Sequence, residues 1–80
     1  MKKLTLNSLD VGDSATVLYI EKNCRMRERL FDLGFAQNTK IFCVGQSPFG
    51  NPKAYKIRGT VIALRNEDAQ SVHLKGYEYE

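Results

Sequence analysis

The stretch Asn23-Cys24-Arg25-Met26-Arg27-Glu28-Arg29-Leu30-Phe31-Asp32-Leu33-Gly34-Phe35 is the only run in this chain that reads as a helix of useful length. Asn23 suits an N-cap, because its side-chain oxygen can accept from a free backbone N–H of the first turn. Met26, Leu30 and Leu33 recur at helical spacing and form one apolar stripe. Gly34 can take the left-handed conformation that ends a helix, and Phe35 can then fold back on Leu30 in a Schellman-type closure. One short amphipathic helix cannot bury its stripe alone. It must lie on the rest of the chain, and the rest reads as short strands.

Leu4, Leu6 and Leu9 anchor an opening strand, and Asp10-Val11-Gly12-Asp13 suits a tight turn. Residues 14–20 are β-branched and apolar and read as the first long strand. From Val17 to Ile20 both faces are apolar, as expected where one face looks inward and the other is covered. After the helix, residues 39–44 read as a second strand. Residues 45–52 form a loop, with two prolines and two glycines in eight positions. Residues 53–58 alternate, with Tyr55 and Ile57 expected on one face and the Lys and Arg side chains on the other. Gly59 marks a turn or bulge, and 60–64 is a fourth strand. Residues 65–70 are polar and suit one helical turn. Residues 71–75 are the last strand, with Val72 and Leu74 inward and His73 outward. Residues 76–80 are expected to be a loose tail, leaving 1–75 as a single domain.

About five short strands with one helix inserted after the first long one imply a mainly β, strongly bent antiparallel sheet. Closing it into a small SH3-like barrel removes the edges that so few strands would expose. Eighty residues allow one domain with a small core and little room for an enclosed active site. No segment approaches the roughly 20 apolar residues that span a bilayer. The basic start, Met1-Lys2-Lys3, is not followed by an apolar run, so no secretory signal is expected and the cytoplasm is the expected location.

Catalysis needs a base, nucleophile or metal held in a cleft. His73 is the single histidine and is expected to be solvated. Cys24 and Cys43 are too far apart for a Cys-x-x-Cys site and read as reduced thiols, one of them in a strand core. A metal-responsive site would require the fold to gather Cys24, Cys43 and His73. Glu28 and Asp32 read as solvent-face partners of Arg25 and Arg29. Glu67 and Asp68 suit the start of a helical turn, where negative charge meets the helix dipole. No phosphate loop, zinc-protease motif or nucleophile elbow occurs. The chain does not read as an enzyme, and no cofactor or metal is implied.

Binding remains. On a helical wheel Arg27 and Phe31 lie beside the apolar stripe, with Glu28 outermost. Phe31 either widens the buried arc or serves as an anchor for a partner, since aromatic and Arg side chains are enriched at interfaces. Phe49, at the tip of Pro48-Phe49-Gly50, either caps the barrel mouth or projects as a contact. The net charge of +3 is mild and interspersed with acidic residues. Arg25, Arg27 and Arg29, with Lys53, Lys56 and Arg58, invite a nucleic-acid reading. They do not form one stripe, however, and Tyr55 alternates away from the charged face.

These pieces in order resemble the FeoA family of small cytosolic proteins of bacterial ferrous iron uptake. The resemblance runs from about Leu6 to Leu74. It rests on Leu6-Asn7-Ser8-Leu9-Asp10-Val11-Gly12, on Arg29-Leu30-Phe31-Asp32-Leu33-Gly34, on Pro48-Phe49-Gly50-Asn51-Pro52, and on the segment from Gly59 to Ala69 with Ala63-Leu64-Arg65 inside it. There are departures. Gln37-Asn38 replaces the family's Pro-Gly, with Asn38 able to hold a positive φ. Glu28 interrupts the usual Arg-Arg-Leu. The resemblance implies an SH3-like barrel without enzymatic activity that supports FeoB, the membrane ferrous iron transporter with a cytosolic G-domain. It places the chain in the cytoplasm, peripheral to the membrane through that partner and not inserted in it. Arg27, Phe31 and Phe49 are the candidate contacts. A nucleic-acid-binding barrel and a metal-responsive module are the alternatives, and exposed strand edges allow a weak homo-oligomer.

Overall fold

The computed structural model describes residues 4–75 and 78–79. The opening segment is not a strand. Leu6–Ser8 form a 3-10 turn, in which the Leu9 N–H donates to the Leu6 carbonyl at 3.2 Å. Three residues per turn bring Leu6 and Leu9 to one side, and both are fully buried. Six strands follow: β1 (Asp13–Ile20), β2 (Lys40–Gln46), β3 (Lys53–Ile57), β4 (Thr60–Leu64), β5 (Val72–Leu74) and β6 (Glu78–Tyr79). Helix α1 (Arg27–Asp32) lies between β1 and β2, and α2 (Asn66–Ala69) between β4 and β5. The strand order is β4-β3-β2-β1-β5, with β6 against the start of β1 and every pairing antiparallel. This is the expected mainly β, SH3-like arrangement.

Helix α1 is shorter than the sequence suggests. Residues 21–26 are spent in tight turns, with the Cys24 N–H donating to the Glu21 carbonyl and the Arg27 N–H to the Cys24 carbonyl. Met26 occupies the N-cap position, and no side chain caps the helix there, so Asn23 does not have that role. The end follows expectation. Gly34 sits at φ +108°. The Phe35 N–H donates to the Leu30 carbonyl (2.9 Å) and the Gly34 N–H to the Phe31 carbonyl (3.0 Å), the bond pair of a Schellman closure. Leu30 and Phe35 are fully buried, while Met26 and Leu33 pack half-buried on the core. Burying Leu30 alone contributes about 1.5–3 kcal/mol.

The β3–β4 hairpin turns through Arg58 (φ 51°) and Gly59 (φ 81°). Positive φ at both central residues matches the twist of the flanking strands. Asn38 (φ 72°) keeps the turn into β2 despite the missing Gly.

Four side-chain expectations are corrected. Lys53 has the same strand parity as Tyr55 and Ile57, so it points inward with them and is buried. Its ammonium donates to the carbonyls of Asn7 (2.9 Å) and Leu9 (2.7 Å), pinning the 3-10 turn to the sheet. His73 is buried as well: the Tyr19 ring stacks on it, Glu21 meets its Nε2, and the N-terminal segment pairs beside it through Thr5. Leu18 and Tyr19 are exposed, because β1 slips register between Val17 and Tyr19. Arg25 does not pair along its own helix. It reaches Asp68, 43 residues away in sequence, at 3.0 and 3.3 Å. The loose tail expected after residue 75 does not describe Glu78–Tyr79, which pair with Asp13 and Ser14. Residues 76, 77 and 80 lie outside the described residues.

Two substitutions test this account by urea denaturation. Gly34→Ala forces a Cβ onto a positive-φ backbone and against the Arg58 side chain, 2.8 Å away. It should cost about 1–3 kcal/mol, and an unchanged midpoint would contradict the closure described. Lys53→Met keeps the stem volume but strands the Asn7 and Leu9 carbonyls, and should cost about 1–3 kcal/mol. A neutral effect would mean that those carbonyls find water at no cost.

Candidate partner-binding site

The candidate residues follow from how β1 meets α1. Register in the β1–β5 pair runs Val17↔Leu74, then Tyr19↔His73 and Ile20↔Val72. Leu18 is therefore an extra residue, and an extra residue resets the inward–outward alternation. Val17 and Ile20 both face the core, while Leu18 and Tyr19 both face out. Helix α1 stands beside them. Arg27 and Phe31 are one helical turn apart, and the Arg27 guanidinium carbon lies 4.9 Å from the Phe31 ring centroid. That is cation–π range. Between helix and strand lies an open cleft of about 270 Å³, walled by Leu18, Tyr19, Arg27 and Phe31, with Phe35 and Gln37 also lining it.

The walls are braced. The Tyr19 ring stacks on His73 at 4.4 Å between centroids and 7° between planes. His73 Nε2 lies 2.6 Å from Glu21 Oε2, so the imidazole is fixed in position. Phe31 is 42% exposed. Arg27 Nε is buried without a hydrogen-bond partner among the described residues, a cost that the ring contact offsets in part. The cleft thus offers an aliphatic side chain, two aromatic rings and a guanidinium to whatever covers it.

Phe49 lies elsewhere. It is 95% exposed at the tip of the β2–β3 loop, so it does not cap the barrel mouth. The loop beneath it is held firmly. The Gly50 N–H donates to the Ser47 carbonyl (2.8 Å), and the Asn51 N–H to Ser47 Oγ (3.0 Å). Asn51 Oδ1 accepts from the Asn66 N–H (3.0 Å), capping the start of α2 from outside. Arg27 and Phe31 are therefore brought together, and Phe49 belongs to a separate loop.

Leu18, Tyr19 and His73 are the members that sequence reasoning missed as a group. Tyr19 was the one visible signal, an aromatic polar enough to sit at a wet surface. The register slip that exposes it has no local signature.

The basic residues do not assemble into a track. Arg25 is tied to Asp68 and lies 3.8 Å from Glu67, Lys53 is buried on carbonyls, and Arg27 covers Phe31. The three possible metal ligands do not converge either. Among the described residues no group of three His, Cys, Asp or Glu side chains could hold a metal ion. Cys43 is buried in the core, and burial pushes its thiol up from the ordinary value, away from the thiolate a metal would need. His73 is committed to Glu21 and Tyr19.

Comparison with known proteins places this geometry in a lineage. The model of the FeoA domain matches residues 4–75. No curated protein matches the chain. Among solved structures, FeoA of Stenotrophomonas maltophilia in complex with zinc is 28% identical with a TM-score of 0.83, over 95% of this chain and 96% of that one. It is described as a procaryotic SH3 domain protein suggested to act as a bacterial ferrous iron transport activating factor. A FeoA-like protein from Clostridium acetobutylicum is 28% identical with a TM-score of 0.82, over 94% of this chain and 88% of that one. A manganese-dependent transcriptional repressor, 18% identical, shares the fold over 36% of its length. The family match spans the chain from the Leu6–Leu9 turn to the last core strand. With that span and these relatives of like size, the chain belongs to the FeoA family.

Proposed function

We propose that this protein is a non-enzymatic accessory of ferrous iron uptake that binds the cytosolic part of a FeoB-type transporter. The observation that carries the reading is family membership joined to a near full-length relative suggested to act as a ferrous iron transport activating factor. The contact runs through the Arg27–Phe31 cleft, with Phe49 as a second point of attachment. Arg and aromatic side chains dominate binding energy at protein interfaces, and here Phe31 and Phe49 stand exposed, with Arg27 half-buried against the Phe31 ring. Tyr19 and Leu18 supply the opposite wall. No helix among the described residues is long and apolar enough to cross a membrane. The aliphatic, aromatic and guanidinium groups that line the cleft suit binding to a partner.

Calorimetric titration of the purified protein with the transporter's cytosolic part, in GDP-bound, GTP-analogue and nucleotide-free forms, tests both levels of the reading. Saturable binding is expected in at least one form. Phe31→Ala should weaken it by about 1–2 kcal/mol, roughly a tenfold loss, while leaving the fold intact. Absence of binding at several hundred micromolar in every nucleotide state would sink the partner. Binding that Arg27→Ala and Phe31→Ala both leave unchanged would keep the partner and remove the cleft.

A further inference from the structure

Among the described Lys and Arg side chains, only Lys53 and Arg27 are withdrawn from solvent. For Lys53 the withdrawal is compensated, because its ammonium donates to two carbonyls. For Arg27 it is not. Its Nε is buried without a hydrogen-bond partner among the described residues. No described carboxylate comes within ion-pair distance of its guanidinium. The nearby acids of α1, Glu28 and Asp32, are exposed, and their spacing from Arg27 along the helix does not bring them to its side. The charge meets the Phe31 ring instead, at 4.9 Å. A ring face replaces only part of the solvation that a cation loses on burial.

We propose that the cleft between α1 and β1 recognises a side-chain carboxylate, an Asp or Glu that the partner protein presents beside a bulky aliphatic residue, with Arg27 as the receptor for the charge. This rests on the reading that the cleft binds the transporter's cytosolic part, and it names the group that the cleft selects. The guanidinium lines the cleft with its N–H donors unspent. A planar fork of donors matches a carboxylate with two parallel bonds, and stacking on an aromatic ring holds the fork in orientation beforehand. Leu18, Tyr19 and Phe31 form the rest of the wall, and they cover the aliphatic neighbour of that carboxylate.

Charge and size select this occupant. The cleft offers one cation, and its other polar side chain at the rim, Gln37, is neutral. One guanidinium balances one carboxylate. A phosphate brings up to two charges, and desolvating a dianion against apolar walls with a single cation is the costlier arrangement. An uncharged apolar segment would cover Phe31 and Leu18 but would bury the Arg27 charge further with nothing to pair it. At about 270 Å³ the cleft holds one or two side chains and is smaller than the usual site for a free small molecule. A carboxylate and an adjoining aliphatic side chain on a protein segment meet all of these conditions together.

Two titrations test this, one with the transporter and one without it. In the first, 15N–1H spectra that include the arginine Nε–H signals follow addition of the blocked tripeptide N-acetyl-Leu-Glu-Leu-amide, its Gln counterpart, and inorganic phosphate. The Glu peptide should shift Arg27 Nε–H and the amides of Tyr19 and Phe31 with a Kd of roughly a millimolar to ten millimolar. The Gln peptide should bind at least about fivefold more weakly, and Arg27→Met, which keeps the stem but removes the charge, should abolish the difference. In the second, Arg27→Met should lower affinity for the transporter's cytosolic part by at least about tenfold and flatten its decline with salt. Arg27→Lys, a charge without the fork, should recover only part. Spectra of each variant confirm the fold. The proposal is overturned by equal binding of the Glu and Gln peptides, by stronger shifts with phosphate, or by shifts confined to another surface. Transporter binding that withstands Arg27→Met also overturns it, and leaves the accessory reading standing on another surface. Peptide discrimination without any transporter binding does the reverse: the carboxylate site stands and the transporter falls.

Discussion

The fold turns on β1 changing its main partner along its length, with β6 beside its start. Its first half, Ser14 to Thr16, pairs with β2. Its second half, Val17 to Ile20, pairs with β5. A small barrel needs a strand that passes from one sheet to the other, and a straight strand cannot do so. The extra residue at Leu18 bends it. Much of the surface chemistry follows from that single insertion. The alternation resets, Leu18 and Tyr19 come to the surface together, and His73 is drawn opposite Tyr19. The cleft beside α1 is thus a consequence of barrel closure, built on the same backbone that makes the core.

Helix α1 depends on that frame more than on its own propensity. Six residues form too short a helix to persist in water. It is held by Leu30 beneath, by the Gly34 stop at one end, and by Arg25 at the other. Asp68 is almost fully buried and accepts two bonds from Arg25, so it ties the approach to α1 onto α2. A bidentate carboxylate–guanidinium contact orients as well as attracts. Arg27 and Phe31 therefore project from an element whose position is set on three sides. This is what an interface anchor requires, because a side chain already held in place loses less entropy on binding.

The sequence was most informative where structure is local. Gly34-Phe35 gave the helix stop, Arg58-Gly59 the hairpin turn, and Tyr55 and Ile57 the buried face of β3. It was least informative where distant residues meet. Nothing near Lys53 indicates that its ammonium will satisfy carbonyls 44 and 46 residues away. Strand parity placed it inward, but a lysine reads as a surface residue, and composition prevailed over pattern. His73 was misread for a different reason. Alternation is correct for β5, but on its outer side His73 lies under the Tyr19 ring and against Glu21, contacts that depend on the register slip in β1. The spacing of Leu6 and Leu9 fits a 3-10 turn, but three leucines within six residues fit an extended run as well. The candidate cleft was half legible: Arg27 and Phe31 follow from a helical wheel, and Leu18 and Tyr19 follow only from a register slip.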